Sequence, residues 1–310
     1  MHRLSPLVVS CLLVTAAAIP ALDYARGPGD ETLAARRDIH RGILNQTTRV
    51  PDRYRWLAAA IVELPTRLLA TAMPYEVAFD RASTVFYLAA FTALLWSLFA
   101  YLRLWFTDEQ ALIGALIVAC TIRITLRQHD YAPYSYLEAS LFALGLLAIA
   151  RRWLVLFYGL VTLAAFNRET GIFLVALYVA TNSWSRQTAS HGAALLLIWG
   201  AIFAGTRIVG GEAERYWSLE RVLNTNLSQP GLAAFNITLF LGAFWWLALR
   251  GWHAAPEFVR RSARVAPIYL FTVAVWGIWW EVRLLMPIYP IVVPLALSCL
   301  FKPHTMRLDG

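Results

Sequence analysis

Residues 83–102, STVFYLAAFTALLWSLFAYL, run for twenty positions without a charged side chain, and this run decides the fold. At ~1.5 Å of rise per residue, a helix of that length covers about 30 Å, the thickness of a bilayer's hydrocarbon core. Inside lipid the backbone has to satisfy its own N–H and C=O groups, which for a single segment means a helix. Comparable apolar runs recur outward from this one, at 4–22, 110–126, 134–150, 191–208, 232–249, 264–280 and 284–301. Two thinner runs, 153–166 and 170–184, form either two short spans or a hairpin dipping in from one face. The pattern predicts an all-α, polytopic transmembrane bundle of about ten spans in a single domain, 1–310.

Composition supports that class. The chain is 59% hydrophobic and 15% charged, whereas a soluble domain carries about 25% charged residues. The net charge of +8 does not point to nucleic acid, because the basic residues sit in short loops, where they set topology. With the N-terminus cytoplasmic, eleven cations and four acids fall inside, against sixteen and fifteen outside, so the net positive charge lies on the cytoplasmic face. Lys302 is the one lysine, and the arginines suit bidentate contacts to phosphate or carboxylate. The first run follows His2-Arg3 and exceeds the ~7–15 residues of a signal core, which predicts a retained anchor. Residues 23–80 form a long outer loop, in which 54–73, interrupted by Glu63, Pro65 and Arg67, reads as an interfacial helix. Cys11, Cys120 and Cys299 lie in apolar runs and read as small core residues, without disulfide or metal-ligand spacing.

Two charged couplets break the apolar pattern: Asn167-Arg168-Glu169-Thr170 and Glu281-Val282-Arg283. An ionised side chain deep in a span costs at least ~2.5–3.5 kcal/mol, so such groups face an internal cavity and mark a site. Arg168 and Glu169 read as part of that site or as an ion pair with each other. Glu281 and Arg283, two apart at a helix end, are expected to diverge toward other partners. On the same outer side, Asp23 leaves the first span at a helix end, and Asp30 follows the Gly27-Pro28-Gly29 turn. Either carboxylate can take a proton from an acceptor hydroxyl. His129-Asp130 tips a loop, where a lone histidine beside one acid is weak as a metal signal. Arg123 and Arg127 share a helix face, either snorkelling to water or clamping a phosphate. Arg53 and Arg55 are placed to meet lipid headgroups.

An acid just past the first span, interfacial helices in a long first outer loop and many further spans together resemble the polyprenyl-phosphate-dependent GT-C glycosyltransferases. The segments RYRWLAA (53–59), NRET (167–170) and EVRLLMPIYP (281–290) also look like bacterial membrane proteins related to that superfamily. The resemblance covers most of the chain and implies sugar transfer from a polyprenyl-phosphate-sugar donor to a hydroxyl on a glycan, lipid or protein acceptor. The reaction would occur on the periplasmic face of the inner membrane. It implies an acid of the first outer loop as base, Asp23 or alternatively Asp30. Many members carry adjacent acids there, whereas here the adjacent pair is Asp30-Glu31. Phosphate and substrate contacts would fall to Arg168, Glu169, Glu281, Arg283, His129, Asp130, Arg123, Arg127 and Arg55. No cofactor is required, and no ligand cluster supports a divalent metal. Two other readings stand beside it: a transporter or flippase of a lipid-linked or anionic solute, using the broken pair at 153–184, and a non-catalytic membrane protein of the same fold.

Overall fold

A computed structural model describes residues 5–27, 29–126, 131–212 and 218–304. The chain is helical throughout, without a β-strand among the described residues. Fifteen helices follow in order: α1 (Pro6–Arg26), α2 (Asp30–Leu44), α3 (Trp56–Leu69), α4 (Tyr75–Leu102), α5 (Asp108–Thr125), α6 (Pro133–Ala150), α7 (Leu154–Asn167), α8 (Ile172–Thr181), α9 (Arg186–Gly210), α10 (Leu219–Ser228), α11 (Pro230–Leu241), α12 (Phe244–Gly251), α13 (Glu257–Ala263), α14 (Ala266–Trp276) and α15 (Tyr289–Leu300). Short 3₁₀ turns occupy Asp52–Tyr54, Glu169–Gly171 and Val282–Ile288.

The helix starts follow from sequence. α1, α6, α11, α14 and α15 open with proline in the first turn, where its missing N–H costs nothing. α5 opens with a full capping box: Thr107 accepts from the Gln110 N–H, and the Gln110 side chain accepts from the Thr107 N–H.

Five segments are long and apolar enough to cross a bilayer: α1, α4, α6, α9 and Val282–Leu300. A sixth arises if α11 and α12, bent by 61° at Gly242, count as one. This is fewer than the about ten anticipated. α5 carries Asp108, Glu109 and Arg123, while α7, α8 and α14 have 14, 10 and 11 residues.

α4 and α6 form the centre; most of α6's apolar stretch is buried, whereas α9 stands at the periphery with 17% buried. A helix does form within 54–73, α3, and it packs against α2, α4, α6 and α7, forming a cap. At the opposite end Phe258 stacks on Trp105 and the His304 N–H reaches the Trp105 carbonyl. The three cysteines lie exposed on helix surfaces, not in the core. In a lipid-facing bundle the apolar side of a helix often points outward, so lying within an apolar run does not place a residue inside.

α12 crosses α15 where Gly251 permits close backbone approach: a Cβ there would sit 1.9 Å from the Leu295 carbonyl oxygen. Gly251→Val should therefore abolish recovery of folded protein from detergent extracts. Gly200→Ala, at a position with open space around it, should leave yield and melting temperature unchanged.

Candidate functional site

The polar residues of the cap end gather where α6 begins and α7 ends. Pro133 starts α6, so Tyr134 and Glu138, four apart, share one inward face. α7 stops at Asn167, whose amide donates to the Tyr134 carbonyl at 2.8 Å. Arg168 is then fully extended (φ −165°, ψ 152°), and successive side chains of extended backbone point in opposite directions. Arg168 and Glu169 therefore do not pair with each other. Arg168 donates to buried Glu138 at 2.7 Å, and the Thr170 hydroxyl donates to the other Glu138 oxygen. Glu169 turns the opposite way, to Arg55 at 3.2 Å and to Arg207 at 3.7 Å. Gly171 allows this reversal, since a Cβ there would lie 2.8 Å from the Ala164 carbonyl carbon.

Arg55, between the 52–54 turn and α3, is buried and unavailable to lipid headgroups. Its guanidinium contacts Glu169, reaches Asp52 at 3.1 Å and lies 4.6 Å from the centroid of the Tyr134 ring. The Arg168 guanidinium lies 5.7 Å from the same centroid. Cations over an aromatic face gain from its quadrupole, so Tyr134 helps hold two like charges near one another. Arg207 stacks on Tyr54, whose hydroxyl donates to the Gly211 carbonyl, tying the end of α9 to the cap.

Glu281 and Arg283 pair with each other at 2.9 Å rather than diverging, because they sit in a bend leading into a 3₁₀ turn and not on an α-helix end. The pair lines a cavity of about 230 Å³ with Thr125, Asn236 and Trp280. Asp23 lies 3.4 Å from Arg123, whose side chain is exposed, so the two form an ion pair at the surface. Asp30 is the exposed first residue of α2. Arg127, His129 and Asp130 fall outside the described residues. Among the described residues, no three or more His, Cys, Asp or Glu side chains gather as a metal site.

Asp52 and Tyr134 were not singled out from sequence as site residues. Glu138 and Arg207 each interrupt an apolar run, the same signal that marked Arg168. Among the described residues, Arg55, Arg168, Arg207 and Arg283 pair with Asp52, Glu138, Glu169 and Glu281, four cations against four acids. Any anion entering there would have to exchange with a carboxylate partner, because each of these guanidinium groups is already paired. Arg207, with the longest of these contacts and 30% of its side chain exposed, is the guanidinium most open to such exchange.

A second network ties the cap together. His40 is fully buried, its Nε2 3.0 Å from Glu63 and its Nδ1 2.5 Å from the Tyr131 hydroxyl. An ionised carboxylate only accepts, so Nε2 carries the proton and Nδ1 accepts from Tyr131. Glu63 also accepts from Arg67 at 2.7 Å and from the Tyr75 hydroxyl at 2.9 Å. Burial alone pushes the Glu63 carboxyl up, but the hydrogen bonds from Arg67, His40 and Tyr75 outweigh it and hold the group below its usual value. Burial drives the His40 imidazole below its usual value, against the opposing pull of Glu63.

As pH falls below 6.5, the ordinary imidazole value, the unfolded chain gains a proton that folded His40 refuses until a lower pH. Stability contributed by neutral His40 is thus intact above that value and is lost on acidification, at up to ~1.4 kcal/mol per pH unit. Melting temperatures in detergent should fall between neutral and mildly acidic pH, and His40→Gln should flatten that acid limb.

Comparison with protein-family models, curated proteins and solved structures finds no match, so the chemistry of this site rests on its own geometry.

Proposed function

We propose that the protein is a membrane glycosyltransferase that moves a sugar from a polyprenyl-phosphate donor to an acceptor hydroxyl at the cap end. The cap faces the periplasm, and the short helices α7, α8 and α14 count as thin passes in a GT-C-like bundle. One observation carries this reading: Arg55 and Arg168 flank a single tyrosine ring at the end of an apolar bundle, with Arg207 reaching the same Glu169. Guanidinium groups fixed in a site of low dielectric stabilise the charge that develops on a departing phosphate.

The acid at this cluster with the freest side chain is Asp52, about a third exposed and 3.1 Å from Arg55. It takes the role of base, which the sequence leaves between Asp23 and Asp30. The carboxylate removes the acceptor proton as the oxygen attacks the anomeric carbon, and the sugar–phosphate bond breaks with its electrons passing to the lipid phosphate. A single displacement of this kind inverts the anomeric centre.

The 61° break between α11 and α12 favours a second reading, transport of a lipid-linked anion, since discontinuous helices build substrate sites in transporters. Proteoliposomes loaded with a polyprenyl-phosphate sugar separate the two. Transfer to an acceptor on the cap side alone supports the enzyme; movement of intact donor between leaflets without transfer supports the transporter. For the enzyme, Asp52→Asn should lower kcat by about 10²-fold or more with donor binding retained, whereas Asp23→Asn should have a much smaller effect. Unimpaired turnover in Asp52→Asn returns the base to Asp23 or Asp30. Arg168→Ala strands a buried carboxylate and should cost about 3–5 kcal/mol of stability, while the double change Glu138→Leu with Arg168→Met should recover most of that stability.

A further inference from the structure

α10 is two-faced in a way that the spanning helices α4, α6 and α9 are not. At ~100° per residue, Val222 and Asn226 share one side, and these are its buried residues. Leu219, Leu223 and Leu227 follow at every fourth position on the adjoining side, and all three are exposed. Glu220, Asn224 and Ser228 occupy the far side and are exposed as well. With 10 residues the helix is ~15 Å long, too short to cross a bilayer. A polar face, a leucine stripe and little net hydrophobicity suit a helix that lies along a membrane surface.

Its surroundings agree with that placement. α9 ends at the cap, where the Tyr54 hydroxyl donates to the Gly211 carbonyl, and α10 packs on α11 and α14. α11 begins with exposed Leu232 and Phe235, and α14 ends with exposed Trp276, so the leucine stripe extends the apolar flank of its two neighbours. Trp276, Trp279 and Trp280 follow one another closely here, and such rings collect where hydrocarbon meets headgroups. Pro230 lacks an N–H and restricts Gln229 before it, which ends α10 and turns the chain into α11. Fully buried Asn226 ties α10 down: its amide donates to the Gly277 carbonyl and its oxygen accepts from the Trp279 N–H, both at 2.9 Å. Two residues beyond Trp279 stands Glu281, the partner of Arg283.

We infer that α10 rests in the surface of the cap-side leaflet with its leucines among the acyl chains, and that through Asn226 it sets the depth of the segment bearing Glu281 and Arg283. The occupant of the leucine stripe is the lipid bilayer. Three leucines on a ten-residue helix offer well under the ~800 Å² per partner of a specific protein interface. α10 carries one acid and one base, Glu220 and Arg221, so apolar burial holds it and zwitterionic lipid suffices. The inference needs no sugar transfer and applies equally to a transporter or an inert bundle.

The test uses the full chain in phosphatidylcholine nanodiscs, with Cys11→Ala, Cys120→Ala and Cys299→Ala as background. A nitroxide is attached to one new cysteine at a time, from Leu223→Cys, Leu227→Cys, Asn224→Cys or Ser228→Cys. Relaxation by oxygen, which concentrates in hydrocarbon, is compared with relaxation by a water-soluble nickel chelate. Labels at 223 and 227 should respond several-fold more to oxygen than to the chelate, and labels at 224 and 228 the reverse. Hydrogen exchange reads the coupling. Leu223→Glu combined with Leu227→Glu, which drives α10 out of lipid, should speed exchange across 277–280 about tenfold, as should Asn226→Leu. Asn224→Glu, on the water side, should leave that exchange unchanged. All labels open to the chelate, or all equally rich in oxygen, would overturn the lipid seat. Labels at 223 and 227 shielded from both agents would mean that protein covers the stripe, which overturns it as well. Unchanged exchange in the double glutamate variant would defeat the coupling to Glu281 and Arg283.

Discussion

Arg168 and Glu138 meet inside an otherwise apolar bundle, and much of the cap end follows from that contact. Removing two charges from water is costly, and their attraction compensates for it only when geometry is good and the remaining hydrogen-bonding capacity is filled. Here Glu138 accepts from both Arg168 and Thr170, while the Asn167 amide fixes the α6 backbone one turn earlier. The four residues 167–170 are thereby locked against α6. Glu169 is thrown the other way, into the reach of Arg55 and Arg207. One ion pair thus dictates where a second forms, and the second draws the first loop and the end of α9 together.

Among the described residues the resulting cluster is balanced in charge, which shapes the chemistry open to it. A binding site with surplus arginine captures any anion and is held apart by self-repulsion when empty. A compensated cluster is stable when empty and admits an anion by exchange, so selectivity falls on ligands that satisfy both signs at once. A sugar phosphate has that character, since its hydroxyls donate to carboxylates and its phosphate accepts from guanidinium groups.

Sequence reading identified the helical class and the presence of a helix within 54–73, because each depends on local composition. Uninterrupted apolar length shows itself in α4, and Arg168-Glu169 stands out against its neighbours. The partners were harder to see. Arg55 and Glu169 are separated by 114 positions, and His40 and Tyr131 by 91, so no spacing rule links them. Glu63 was visible as an acid within an apolar helix, but its need for His40 was not. The pairing of Glu281 with Arg283 was misjudged because a 3₁₀ turn with a bent lead-in replaced the α-helical end that the apolar run suggested. Asp52 carried no local mark at all: a carboxylate in a polar loop is ordinary until the fold sets it beside a buried arginine.

The peripheral position of α9 has a consequence for how this chain varies over time. Most of its length is unburied and apolar, so within a bilayer selection there would act on hydropathy and not on the identity of each side chain. Leucine, isoleucine, valine and phenylalanine are interchangeable on that surface, while Arg207 near its end is held by Glu169 and Tyr54. Divergent copies would therefore drift fastest along the outer stripe of this helix and keep its terminal turn.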